Sequence, residues 1–146
     1  MGVTLLWMTD QSPADNSGDT DGAERPFRVL PPQHGTGFLL WQCPPVSELH
    51  GMSIDARARA LGTDLVEAHA ASDGQHPGMH ATNTLDFLVV LSGKITLLLQ
   101  TGEVTLHVGD TLVDRGVMHA WENRGTTTCL CAVFNVDALP LARFPA

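Results

Sequence analysis

Between Gly78 and Asn123 the apolar positions come in short bursts: Leu85 to Leu91, Ile95 to Leu99, Val104 to Val108, Thr111 to Val113 and Met118 to Trp121. Glycine-bearing pairs, Ser92-Gly93, Thr101-Gly102, Gly109-Asp110 and Arg115-Gly116, close the runs. Runs this short with this punctuation predict antiparallel strands joined by tight turns. Upstream, VTLLWM within Met1 to Thr9 is rich enough in Val, Leu and Trp to be a strand, pairing with the same sheet or with a partner subunit. Phe27 to Leu30 and Gly37 to Gln42 read as strands separated by Pro31-Pro32, and Pro44-Pro45 ends the second. Ser53 to Leu61, SIDARARAL, is the one helix, with Ser53 as cap, Asp55 in the first turn and Gly62 as its stop. It serves as a packed connector or as a lid. Asp64 to Ala70 alternates as a half-exposed strand, and Thr127 to Val136 reads as a last strand buried on both sides. The tail DALPLARFPA is proline-broken and apolar enough to pack along the outside.

A chain of 146 residues makes one domain, large enough to bury roughly two-thirds of its unfolded surface. Asp10, Asp15, Asp19, Asp21 and Glu24 stand in a segment without a base until Arg25. Residues 10–25 are therefore expected to be an acidic flexible linker between an N-terminal strand, 1–9, and a barrel domain, 26–146. The formal charge of −8 and the single lysine, Lys94, argue against nucleic acid and acidic lipid as partners. No apolar run approaches the roughly twenty residues that span a bilayer, and the N-terminus has no basic flank or cleavage site. A cytoplasmic protein is expected. Three cysteines, Cys43, Cys129 and Cys131, without CxxC spacing, read as small core residues.

The residues able to bind a metal or move a proton within the strand-rich stretch are His80, Asp86 and His119. On one straight strand His80 and Asp86 would lie roughly 20 Å apart, so the chain must turn between them, and Asn83-Thr84 offers the turn. A nearly closed antiparallel barrel is the simplest way to bring His119 to the same place. If the strands stay regular, Leu88 and Val90 share the face of Asp86, while Trp121 and Asn123 share that of His119. His76 is a spare ligand, and Arg115 a candidate grip for a substrate oxyanion or carbonyl.

These residues resemble the cupin superfamily. Its first motif runs roughly G(X)5HXH(X)3–4E(X)6G, and His80, Thr82, Asp86 and Gly93 reproduce the spacing. The second, G(X)5PXG(X)2H(X)3N, is matched by Gly109, Gly116, His119 and Asn123 with one residue fewer between the glycines. The chain is similar to small single-domain cupins, some of them associated with polyketide and aromatic-compound metabolism. The resemblance implies an all-β single cupin barrel, jelly-roll-like, of two packed antiparallel sheets with one short helix. It further implies a divalent metal (Fe, Mn, Ni or Zn) on His80, Asp86 and His119 and a substrate pocket formed by Thr82, Leu88, Val90, Trp121 and Asn123. Here Thr82 stands where the family has its second histidine, and Asp86 replaces the longer glutamate.

The expected function is a small-molecule enzyme acting on a polyketide-like, aromatic or carboxylic substrate, as a metal-dependent oxygenase or as a lyase, isomerase or cyclase that works with or without metal. Metal-free, the same three residues serve as acid and base. The alternative is a sensor or carrier with a degenerate metal site. A homodimer is expected, with VTLLWM adding to the partner's sheet edge.

Overall fold

Strands form where the apolar runs lie, and in the computed structural model they can be followed through residues 2–53, 56, 69–70, 76 and 78–141, the residues the structure describes. They are β1 (Gly2–Thr9), β2 (Thr36–Cys43), β3 (His69–Ala70), β4 (His80–Ala81), β5 (Thr84–Ser92), β6 (Lys94–Leu99), β7 (Gly102–His107), β8 (Thr111–Asp114), β9 (His119–Glu122) and β10 (Cys129–Asp137). Two antiparallel sheets result, ordered β1-β2-β10-β5-β8 and β3-β4-β9-β6-β7. The architecture is the expected all-β barrel of two packed sheets.

Period-two alternation turns one face of each strand inward. Cys43, Leu88, Val90, Ile95, Leu106, Cys129 and Cys131 pack into the main core, with Trp41, Leu112, Trp121 and Val133 against it. The three thiols are free and buried, as small core residues should be. A second cluster, Met79, Ala81, Met118 and Ala120 with Leu98, lies at the second sheet.

Several local expectations change. Phe27 to Leu30 forms no strand, because Pro26, Pro31 and Pro32 deny a four-residue stretch its ladder; Val29 and Leu30 instead line an interior cavity. After Pro44-Pro45 the chain makes a short 3-10 turn, Val46–Leu49, that the pattern did not announce. β10 is laddered on both sides but buried on one face only, with Phe134 open on the other. Ser53 Oγ accepts the Ala56 N–H at 3.2 Å, as a helix cap does. The rest of the expected helix, and residues 64–68 of the half-exposed strand, lie outside the described residues. Leu139, in the tail, stands in solvent. No helix among the described residues is long and apolar enough to cross a membrane.

β1 pairs with β2 of its own chain and forms one edge of the first sheet. The acidic segment that follows folds back on it. Asp15 and Asp21 close local turns by accepting the Ser17 and Ala23 amides at 2.8 Å each, and Arg25 meets Asp10 at 2.5 Å. At Gly22 a Cβ would come within 2.6 Å of the Trp7 ring and 2.9 Å of the Met8 carbonyl oxygen, whereas at Gly18 it would meet nothing within 4 Å. Overpacking of this kind costs about 1–3 kcal/mol, roughly 2–4 °C per kcal/mol in a domain this size. Gly22→Ala should therefore lower the melting temperature by at least several degrees while Gly18→Ala leaves it within about a degree. Equal melting curves for the two variants would show that the segment does not pack on β1.

Candidate functional site

Asn83 is the bend where the chain leaves β4 in one sheet and enters β5 in the other. That handover turns His80 and Asp86 toward each other from opposite walls. On the second sheet His80 pairs in register with His119, and their ring centroids lie 4.5 Å apart. On the first sheet Asn135, Asp86 and Asp114 form a cross-strand row over β10, β5 and β8. The two groups face a cavity of about 100 Å³, whose polar lining is His80, Thr82, Asp86, Asp114, His119 and Asn135. Leu39, Leu88, Leu112 and Val133 supply an apolar wall, with Trp41 and Trp121 edge to face at 5.6 Å. Among the described residues no lysine or arginine lines it.

The hydrogen bonds fix how each imidazole is presented. His80 Nδ1 is 2.9 Å from the Gly78 carbonyl oxygen, so it carries the proton and donates. His119 Nδ1 lies 2.9 Å from both the Val117 carbonyl oxygen and Asp114 Oδ2. The carbonyl takes the hydrogen bond, and the carboxylate adds an off-axis ionic contact. Both rings therefore have only Nε2 left for other partners. Asp114 is held in turn, its Oδ1 accepting the Val117 amide at 3.1 Å. This tight corner requires Gly116: its φ is +74°, and a Cβ there would stand 2.5 Å from the Thr82 carbonyl oxygen. Thr82 hydrogen-bonds Thr84 hydroxyl to hydroxyl at 2.7 Å, and Thr84 in turn bonds the Asp86 carboxylate. With the single Thr84 proton given to the carboxylate, Thr82 is the donor to Thr84. Asp86 Oδ1 is buried with no hydrogen-bond partner.

The cavity brings together His80, Thr82, Asp86, Leu88, His119 and Trp121 and leaves out two residues expected beside them. Val90 sits one pleat deeper, in the core with the cysteines. Asn123 is buried as a structural brace, its amide donating to the Cys43 and Thr127 carbonyls at 2.8 Å each. His76 pairs with Glu122 at 3.1 Å and accepts the Gly78 amide, and neither His76 nor the exposed Arg115 lines the cavity. Asp114 and Asn135 were the residues missed. Asp114 reads as part of the turn Asp114-Arg115-Gly116, although its inward place two residues after Leu112 marks it, and Asn135 closes the inward series Cys129, Cys131, Val133. His80, His119 and Asp86 have the chemistry of a divalent-metal donor set. As placed, however, no group of three or more His, Cys, Asp or Glu side chains among the described residues is disposed to hold a metal ion.

Residues 65–135 match the cupin domain family. That stretch, just under half of the chain, carries the cupin domain. Among curated relatives it is 43% identical over 65 residues to "Phomopsin biosynthesis cluster protein C'" and to "Phomopsin biosynthesis cluster protein D", both of Diaporthe leptostromiformis, covering 43% of this chain and 34% of each of those. It is 39% identical over 70 residues to "Oryzines biosynthesis cluster protein J" of Aspergillus oryzae, covering 47% of this chain and 39% of that protein. The chain thus spans little more than a third of the length of the curated relatives it matches. Among solved structures, a Cupin 2 conserved barrel domain protein from Salinispora arenicola aligns with a TM-score of 0.44 at 13% identity, covering 79% of this chain and 72% of that one. The Cupin_2 domain of an XRE family transcriptional regulator from Enterobacter cloacae aligns at 0.42 and 12%, covering 73% and 83%.

In this cupin the two carboxyls are driven apart. Burial raises Asp114, but the close contact and charge of His119, with the Val117 and Gly116 amides, more than reverse it and hold it below the ordinary carboxylate range. Burial likewise lowers His119, and Asp114 overrides it, so the imidazole is held above its usual value. His80 is depressed by burial and by the charge of His119. Asp86 is pushed up to about 6, first by burial and then by the neighbouring Asp114 charge, against the Thr84 hydrogen bond. Between about pH 4 and 6 folded Asp86 keeps a proton that the unfolded chain has lost, so it favours folding most at low pH. That contribution falls as pH rises and is gone above about 6. Two units correspond to roughly 3 kcal/mol at most, and less here because Asp86 is only half-buried beside the cavity. Asp86→Asn, melted in a chelator, should be more stable than wild type by a few degrees at pH 8 and indistinguishable from it at pH 4. A difference that does not change with pH would show that Asp86 titrates normally.

Proposed function

We propose that this cupin is a small-molecule enzyme of the lyase or isomerase type, moving a proton on an uncharged, largely apolar substrate held between the two sheets. The observation that carries the reading is the buried His119–Asp114 contact of 2.9 Å opening onto a cavity that also holds Asp86 with an unpartnered oxygen. Burial raises Asp86 to about 6 and Asp114 raises His119, so a carboxyl and an imidazole with displaced pKa values face one cavity, as proton transfer needs. His119, whose charged form Asp114 favours, is the acid, and Asp86 is a base stronger than an ordinary carboxylate. With a substrate carrying a C–H next to a carbonyl, Asp86 takes that proton and the C–H pair becomes the C=C bond of an enol. His119 Nε2 protonates the carbonyl oxygen. Where a C=C bond adjoins the deprotonated carbon the product is a dienol, and Asp86 returns its proton to the far end of that bond while the O–H proton goes back to His119, which completes an isomerisation with no co-reactant. The relatives named for biosynthesis clusters support a place in the assembly of a natural product.

The substrate class follows from the lining. Among the described residues Asp86 and Asp114 sit in the cavity without lysine or arginine, and His119 already serves Asp114, so these residues offer a carboxylate substrate no free cation. Trp41 and Trp121 report on occupancy, and by their fluorescence methyl benzoate should bind at least tenfold more tightly than benzoate. Tighter binding of the anion would sink this assignment. For the chemistry, carbonyl compounds that bind should exchange their α-hydrogens in D2O by NMR, with the rate reduced roughly 100-fold or more in His119→Gln and Asp114→Asn. Bound ligands that show no exchange above buffer would leave a carrier or sensor as the function.

A second reading has its own observation. Main-chain carbonyls hold both Nδ1 atoms, as they do in histidines that bind metal through Nε2. A divalent metal, Fe, Mn, Ni or Zn, would take His80, His119 and Asp86 after a shift of their side chains, and would supply a Lewis acid. Calorimetry of chelator-treated protein with each metal distinguishes the readings: the metal reading requires binding that His119→Ala and Asp86→Asn abolish.

A further inference from the structure

The outer face of the first sheet differs from every other exposed surface among the described residues. Trp7, Phe38, Phe134, Phe87 and Val113 lie in unbroken cross-strand register from β1 through β2, β10 and β5 to β8. All five point outward and are 39–56% exposed. The next row, Leu40, Ala132, Val89 and Thr111, is also uncharged, as are Leu85 and Val136 on the other side. No outward strand position on this face carries a charge, whereas the outer side of the second sheet has Lys94, Glu103, His107 and Glu122. At about 200 Å² per aromatic side chain, the four rings leave roughly 350 Å² open. Val113, Val89 and Leu91, each more than a third exposed, bring the patch to about 500 Å² or more. That is at or above the largest apolar patch of an ordinary monomer and well over half of the roughly 800 Å² that one side of a stable interface buries.

We infer that this face docks on the same face of a second copy, making an isologous dimer of sheets packed face to face. The area fits one standard interface, and the charge distribution selects a like partner. On a chain of net charge −8, the strand positions of this face carry no carboxylate, and the acidic segment that packs beside Trp7 stays at its β1 rim. Phe134 is the middle of the five-residue row and so lies nearest the two-fold axis, where it packs against its counterpart. Face packing leaves the β1 edge out of the interface, unlike the edge-to-edge pairing expected from VTLLWM. The row also lies directly behind the site: Phe38, Phe87, Val113 and Phe134 are chain neighbours of Gly37, Asp86, Asp114 and Asn135. The second copy therefore braces the strands that carry the site's carboxyls.

Sedimentation equilibrium on the full chain tests this. Wild type should have twice the 15.6 kDa chain mass at micromolar concentration. Phe134→Lys and Val113→Lys should each raise the dissociation constant by at least about tenfold, and Thr105→Lys on the second sheet should not change it. Circular dichroism checks that each variant is folded, and the wild-type mass carries the test without any variant. A wild-type monomer at about 100 µM overturns the proposal and leaves the face to some other apolar partner. A dimer indifferent to both lysine variants overturns it in favour of association through the β1 edge.

Discussion

Two aspartates placed directly opposite each other on neighbouring strands inside a barrel are a problem the rest of the site answers. Asp86 and Asp114 are in register on β5 and β8 and face a largely apolar space, where two ionised carboxylates would repel and neither would be well solvated. The answer is unequal treatment. Asp114 receives an imidazole and the amides of its own turn, and Asp86 receives one threonine hydroxyl. The difference makes one a fixed counter-ion and the other a group whose proton is within reach of neutral pH. Gly116 belongs to the same solution, because only a residue without Cβ lets the turn below Asp114 approach the Thr82 carbonyl.

The strand meander was legible because each apolar run ends at a glycine pair and the runs are too short for helices. The turn between His80 and Asp86 was legible from strand length alone. Phe27 to Leu30 misled because three apolar residues around Arg28 look like a strand until the three surrounding prolines are weighed as lost donors. Asp114 was hidden by its own turn: Asp-Arg-Gly suggests a solvent-exposed corner, and its role depends on β8 facing β9 across the barrel, a pairing of sheets that local pattern does not contain. Asn123 erred the other way. It matches a motif position and so looked like pocket wall, yet its amide closes the loop between β9 and β10 to the end of β2.

Thr82 shows how a substitution at a motif position is absorbed. A histidine there would face the same interior, whereas the threonine forms a hydroxyl relay with Thr84 that ends on Asp86. The relay uses Thr84's only proton on the carboxylate, so it supplies a hydrogen bond to the ionised form and opposes the upward push of burial. Thus the residue in place of a ligand adjusts the basicity of the remaining carboxylate through one intermediate. Its effect reaches the site's chemistry without contact with a reacting atom.

The first sheet is inverted along one row: inside are Gly37, Asn135, Asp86 and Asp114, and outside, one residue along each strand, are Phe38, Phe134, Phe87 and Val113. Period-two geometry ties the two faces together, since each polar side chain sent inward sends its neighbour out. Packing inside this row is loosened by the cavity, so these strands gain less from the core than their neighbours toward Val90 and the cysteines. Apolar side chains on the outer face recover stability only when something covers them, and cross-strand contacts such as Phe87 to Phe134, at 6.3 Å between ring centroids, supply only part of that cover. A site built from buried carboxyls thus leaves its rigidity to be supplied from behind.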